Sequence, residues 1–383
     1  MKHVLSSIIV IVVATLLASS CQSRKIQSFH STIELFPMQQ TTMVDELVSW
    51  IDTISLTPIT EARYFSMPIS KMLIDSIGNL YMLNIGGLVA RIEPDGNYTS
   101  LTESFAATCT SEGCTGLTEV SDIALSAHEL MLLEDRNITC LDLADLTQEH
   151  VIDNPVQAPC DALAPDGNGG IYLFSAFPSD YTLTHSCNDS LLYRVSANGE
   201  LLNSYITRQD NTLSLNNISQ ASYNRYYLRP QSSDHIFRLL TPDGPQPAYR
   251  IDFGTENIPP RYFFDSVNEN LGDYIMSPYY KIPMELHETS SHIVFRVAGP
   301  SAREITILYD KESLHGIMWE NDPNDMSLQI LAADDEWFYT IMTTVPDDTE
   351  SHGPLFHHLL ETLKRDGSNA SSAHIVKIAF RRF

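Results

Sequence analysis

Ile69-Ser-Lys-Met-Leu-Ile74, Asp75-Ser-Ile-Gly78-Asn79, Leu80-Tyr-Met-Leu83, Gly86-Gly87, Leu88-Val-Ala-Arg-Ile92 and Pro94-Asp95-Gly96-Asn97 succeed one another almost without interruption. The longer segments are short apolar runs of strand type, and the intervening ones hold Gly, Asn, Asp and Pro, which supply positive φ or preset a turn. The run reads as strand, turn, strand, turn, strand, Asp-Gly turn. The same order returns at Val120–Leu143, at Ala162–Tyr205 with its Asn198-Gly199 turn, and from Ser219 through Pro242-Asp-Gly244 to Phe253. Two further copies hold Ile293–Val297 with Ile305–Tyr309, and Trp337–Ile341 with Ile375–Phe380. The strand expectations include Tyr279–Leu286 and Leu328–Ala332 at the start of these two copies. Six copies, each too small to bury its own face, predict radial stacking into an all-β, six-bladed β-propeller over residues 46–383. A β-sandwich would not repeat this order so regularly. Sealing the ring requires the strand near Leu47–Leu56 to complete the blade that holds the C-terminal strand, so deletion of residues 375–383 is expected to unfold the domain.

With 383 residues and 43% hydrophobic content the chain can bury a sizeable core, and its 23 Lys plus Arg against 48 Asp plus Glu give a net charge of −25. Such a surface repels a phosphate backbone, which argues against nucleic acid as a partner. The acidic residues are scattered and read as a solvated face.

Lys2 and His3 precede the apolar run Val4–Leu17, and Ala18-Ser19-Ser20 lead into Cys21. Residues 1–20 read as a secretory signal peptide, too short in its apolar part for a comfortable span. A cysteine directly after small residues resembles the bacterial lipoprotein signal, although Leu17 lies one place further from the cysteine than is common. The resemblance implies lipidation of Cys21, a polar tether over residues 21–45, and a membrane partner reached through the acyl anchor. Removal of Lys2 takes the net charge from −25 to −26. Gln22-Ser-Arg-Lys25 holds no acidic residue; by resemblance to the sorting rules of diderm lipoproteins, this implies the periplasmic face of the outer membrane.

Beyond Cys21 stand Cys109, Cys114, Cys140, Cys160 and Cys187. An odd number in an oxidising compartment leaves at least one free. Cys109 and Cys114 bracket Thr-Ser-Glu-Gly, a spacing open both to a small disulfide and to two separate buried thiols.

Several segments carry a more specific resemblance: Ile54-Ser-Leu56, Gly78-Asn-Leu-Tyr81, Arg91-Ile-Glu-Pro-Asp-Gly96 and, above all, Tyr249-Arg-Ile-Asp-Phe-Gly254 followed by Ile258-Pro259. Over residues 45–383 the chain resembles the six-bladed β-propeller lipoproteins of Bacteroidetes, NHL-like in form. It departs from them where Gly113-Cys-Thr-Gly116 replaces the usual glycine-rich loop after the first blade.

No catalytic residue set emerges. His287-Glu-Thr-Ser-Ser-His292 spaces its histidines five apart, not the four of a zinc-protease helix, and reads as a pair of strand-edge residues. His352, His357 and His358 accompany Leu359–Lys364 in what reads as a short surface helix. Asp135, Asn137 and Thr139 imitate a calcium loop, but Cys140 replaces its sixth-position glycine, so the segment reads as a strand. Tyr223, Tyr226, Tyr227, Tyr262, Phe263, Phe264, Tyr274, Tyr279 and Tyr280 could stack a ligand, and more readily fill blade interfaces. The connection Thr255–Pro283 is richer in Pro and aromatics than a minimal link needs, and is the first expectation for a functional loop. The sequence therefore predicts a binding or assembly module for an envelope protein, peptide or glycan, with no cofactor identified. The rival is a hydrolase or lyase whose divalent metal sits in the central channel, with one ligand from each of several blades and hence no linear motif.

Overall fold

The computed structural model describes residues 31–34, 51–60, 68–102, 120–175 (less 135, 148, 157 and 158), 190–207, 218–230, 235–320 (less 265 and 266), 329–342, 358, 361–362 and 373–382. Cys21, Cys109, Cys114, Cys187, His352 and His357 lie outside them.

The repeats fold as six antiparallel blades. In chain order, blade 1 comprises Ile69–Ile74, Leu80–Asn84, Val89–Ile92 and Tyr98–Ser100; blade 2 comprises Asp122–Leu125, Glu129–Leu133, Asn137–Asp142 and Glu149–Asp153. Blade 3 holds Ala162–Pro165, Ile171–Phe174, Ser190–Val195 and Leu201–Thr207; blade 4 holds Ile218–Ser222, Arg225–Leu228, Ile236–Leu239 and Gln246–Asp252. Blade 5 holds Met284–Glu288, His292–Ala298, Glu304–Asp310 and His315–Glu320. Blade 6 has the inner strands Ala332–Ala333, Phe338–Met342 and His374–Phe380, and Ile51–Pro58 supplies its outer strand, antiparallel to His374–Phe380 with Ile54 opposite Ile378. The ring is thus sealed by Ile51–Pro58, a strand that precedes blade 1 in the chain. A further strand that the sequence did not announce, Ser31–Glu34, runs parallel to Gln246–Asp252 on the outer edge of blade 4.

Strands such as Leu130–Leu133 and Ile171–Phe174 are buried at every position because neighbouring blades cover both faces of each sheet. That is why they read as continuous apolar runs rather than alternating ones. The core lies between blades: one cluster joins Leu73, Tyr81 and Val89 of blade 1 to Ile123 and Leu132 of blade 2. Another joins Phe237 and Tyr249 of blade 4 to Phe295 and Ile307 of blade 5.

The repeated aspartate has a local task. At the first hairpin of blade 1, Asp75 Oδ1 accepts the backbone N–H of Ile77 (3.0 Å) and Asn79 (2.9 Å), while Oδ2 accepts the Asn79 amide and the Tyr81 hydroxyl. Asp166 does the same for Asn168 and Gly170, and Asp334 for Glu336 and Trp337. Each is an Asx turn that satisfies the hairpin's otherwise unpaired donors.

Alternation of strand direction separates two ends of the propeller. At one end the first hairpins turn within a few residues, as at Asp75–Asn79 and Ser222–Arg225. At the other the chain leaves at Ser100, Phe174, Thr207, Asp252, Glu320 and Met342, and returns only at Asp122, Ser190, Ile218, Met284, Ala332 and His374. All the longer connections, Thr255–Pro283 among them, belong to this second end. Two strand expectations shorten there. Met284–Glu288 replaces Tyr279–Leu286 because Tyr280 instead bridges to Asn257 in the connection, and only Ala332–Ala333 pairs in blade 6. Among the described residues no helix is long and apolar enough to cross a membrane.

Candidate functional site

The six inner strands meet around the axis, and at the long-connection end all six blades line a cavity of about 80 Å³. Its charges are spent internally. Lys71 Nζ donates to both oxygens of Asp122, at 2.8 and 2.9 Å, and Asp122 Oδ2 also accepts the N–H of Leu163 at 2.8 Å. Burial raises the Asp122 carboxyl above its ordinary range, with Lys71 opposing. Glu285 is held by Arg296 at 2.6 Å. His287 is 6% exposed, and burial lowers it to about 4, with Glu285 opposing, so the ring is neutral. Among the described residues its Nδ1 has no hydrogen-bond partner.

Deeper in, the axis is closed by side chains of blade 4. Gln220 reaches blade 1 on the far side of the ring, accepting the Ile74 N–H at 3.1 Å and donating to its carbonyl at 3.4 Å. The Tyr226 hydroxyl accepts the N–H of Leu125 in blade 2 (2.7 Å) and donates to that residue's carbonyl (3.0 Å).

The short-turn end opens differently. Between blades 4 and 5 the first hairpins bring Ser222–Arg225 and Glu288–Ser290 to the rim of a cavity of about 680 Å³. Glu288 ends the inner strand of blade 5 and its side chain is only 2% exposed. Four donors converge on it: Arg225 at 2.6 Å, Lys311 at 2.8 Å, Tyr227 at 2.9 Å and Tyr249 at 3.3 Å. Burial first, and Glu288 second, push the Tyr227 and Tyr249 hydroxyls well above their ordinary range, so both phenols stay protonated and donate. Arg225 remains 54% exposed, with one guanidinium nitrogen on Glu288, and it lines the cavity. Tyr223, Leu314 and Asp335 complete the rim. A buried carboxylate thus fixes two cations in a chain that is otherwise strongly acidic, and such a pocket can receive an anionic group on the guanidinium fork.

Comparison with solved structures agrees with the ring. The fold is that of a six-bladed β-propeller. The chain is similar to a Bacteroides fragilis protein described as exported, at TM-score 0.68 and 11% identity over 92% of this chain and 100% of that one. It is more distantly similar to the PQQ-bound aldose sugar dehydrogenase of Streptomyces coelicolor, at TM-score 0.42 and 11% identity over 86% of this chain and 99% of that one. At these identities the likeness speaks for the fold alone. No protein-family model matches the sequence, and no curated protein matches it.

The structure distributes the sequence candidates unevenly. His287 and His292 do not share a strand: a hairpin separates them, His287 lining the axial cavity and His292 sitting buried between Ser291 (2.8 Å) and the Arg381 carbonyl (3.1 Å). His287 sits on the innermost strand of blade 5, an edge strand of its sheet, and His292 opens the second strand; both are buried. Tyr226 and Tyr227, adjacent in sequence, point to different places, the axis and the Glu288 pocket. In the connection Thr255–Pro283, Tyr262, Tyr279 and Tyr280 pack on other aromatic rings. Tyr280 stacks on Phe253 with centroids 4.4 Å apart, and Tyr262 meets Tyr279 edge-on at 5.8 Å. Lys281 is buried there, donating to the carbonyls of Ser277 and Gly299, and burial lowers it to about 8. His358, Glu361 and Thr362 are helical, in line with the helix read over that insertion, and Asn137–Asp142 is the strand read in place of a calcium loop. Cys140 and Cys160 are thiols outside any disulfide, and burial pushes both up to about 12, which makes them poor nucleophiles. Arg225 and Lys311 carry no linear signal, and Tyr249 and Glu288 stand in segments read for other reasons; the four converge only through the packing of blade 4 on blade 5.

Proposed function

We propose that this propeller is an exported, lipid-anchored binding module, tethered through Cys21 to the periplasmic face of the outer membrane. Its ligand is an envelope peptide or glycan whose acidic group docks on Arg225 and Lys311. The observation that carries this reading is the Glu288 pocket: a nearly fully buried carboxylate that orients two cations and two tyrosine hydroxyls at the mouth of a ligand-sized cavity. The Lys2–Cys21 segment and the fold likeness to a protein described as exported support the location. The axial cavity favours binding over metal-dependent hydrolysis, because Asp122 is engaged by Lys71 and Glu285 by Arg296.

Two experiments test the parts separately. Cells fed labelled palmitate should label the wild-type chain and not Cys21→Ser; equal labelling of both would remove the anchor. Arrays of acidic and neutral glycans and peptides, probed with the full-length protein, should retain it on acidic members only and lose it with Arg225→Gln. Retention without regard to charge would overturn the docking site.

A further inference from the structure

Blade 2 holds a second group of side chains that the binding reading does not use. Cys140 stands directly opposite His150 on the outer strand and opposite Met131 on the second strand. Glu129 is two residues before Met131, so the period of the strand puts its side chain on the same face. Three adjacent strands therefore present a carboxylate, a thiol and an imidazole together. One ligating atom of each lies within 4.8 Å of the other two, and His150 Nδ1 is 3.5 Å from Glu129 Oε1.

We infer that Glu129, Cys140 and His150 form a binding site for a single divalent transition ion, with zinc the best match. The donor chemistry selects it: one sulfur, one imidazole nitrogen and one carboxylate oxygen suit zinc, whereas calcium and magnesium take oxygen alone. So does the spacing. Ligands about 2.0 Å from a tetrahedral ion stand roughly 3.3 Å apart, close to the observed separation of His150 from Glu129; drawing in the sulfur asks for about 1 Å of side-chain movement. The ligands differ in depth. Cys140 is 1% exposed and forms the floor, whereas His150 is 53% exposed at the opening. Above them lies a cavity of about 540 Å³ toward blade 3, lined by the Asp166–Gly170 hairpin, where Gly167 and Gly169 leave open space. Three protein ligands and an open fourth position form the arrangement of an exchangeable rather than a closed structural site. The site lies on the short-turn end and is separate from the axial cavity.

The alternative is a cross-strand pair of His150 and Glu129 over an inert core thiol, and the two differ in whether sulfur meets metal. Metal-stripped full-length protein titrated with Co²⁺ should bind one equivalent with a thiolate-to-cobalt charge-transfer band and tetrahedral d–d bands, and Zn²⁺ should bleach both. Cys140→Ser should abolish the charge-transfer band. His150→Ala, altered at the exposed end where folding is not at stake, should weaken Zn²⁺ affinity by at least about tenfold. Absence of a charge-transfer band at excess Co²⁺, persistence of the band in Cys140→Ser, or unchanged Zn²⁺ affinity in His150→Ala would each overturn the site.

Discussion

Gly96 lies directly against the carbonyl of Pro58: a Cβ built on Gly96 would stand 2.0 Å from Pro58 O, and the Gly96 φ is +88°. Pro58 ends the outer strand of blade 6, and Gly96 belongs to the last turn of blade 1, so this contact lies on the seam that closes the ring. Its neighbour Thr60 donates to the Gly96 carbonyl at 3.1 Å. Elsewhere a Cβ built on Gly199 would stand 3.0 Å from Asp153 O and one on Gly244 3.2 Å from the Tyr205 ring, so the recurrent turn glycine packs on the outer strand of the preceding blade. Gly96→Ala is expected to cost at least about 2 kcal/mol, from left-handed backbone strain together with displacement of the seam. Gly167→Ala, at φ +80° with nothing within 4 Å, should cost only the backbone term of about 1 kcal/mol. Urea unfolding of the two variants beside wild type measures the difference.

The strand His374–Phe380 lies between Phe338–Met342 and Ile51–Pro58. Removing residues 375–383 would expose paired edges on both sides and open the ring between its first and last segments. The truncated chain should show no cooperative thermal transition; a transition within a few degrees of wild type would mean that the ring holds without its closing strand.

Tyr227 is the donor on Glu288 Oε2, at 2.9 Å, while Arg225, Lys311 and Tyr249 all address Oε1. Tyr227→Phe leaves one oxygen of a buried carboxylate without that donor. A loss of about 1–3 kcal/mol in unfolding free energy is expected, with the ring packing kept.

His287 fixes a pH dependence. Its folded-state value of about 4 lies below the ordinary 6.5, so between these the unfolded chain binds the extra proton. Its contribution is therefore fully present above pH 6.5 and is lost as pH falls toward 4, amounting to about 3 kcal/mol over the window. Chemical denaturation of wild type and His287→Gln across this range should show a steeper acid loss in wild type. Parallel curves would mean that the ring is not held neutral.

The propeller was legible because each blade repeats the same local chemistry. Asp75 and Asp166 announce hairpins by the turns they cap, and strands such as Leu130–Leu133 and Ile171–Phe174 are apolar throughout since two neighbouring blades cover them. Ser31–Glu34 escaped notice because a four-residue parallel edge strand takes its pairing from blade 4 and carries no turn of its own. The Glu288 pocket was only half visible. Tyr223 and Tyr227 stood out as aromatics, but Arg225, Tyr249, Glu288 and Lys311 meet across two blades, and Glu288 was noticed only inside a misleading histidine pair. Glu129, Cys140 and His150 depend on strand register, which repeats at the level of turns do not specify.

The most direct test of the account is calorimetric titration of the full-length protein with an oligogalacturonate and with an acidic peptide, each beside its neutral counterpart. The Arg225–Glu288–Lys311 pocket predicts binding of at least one acidic ligand, weakened by salt and about tenfold weaker in Arg225→Gln. Tight binding of the neutral counterparts, or equal affinity in wild type and Arg225→Gln, would contradict it.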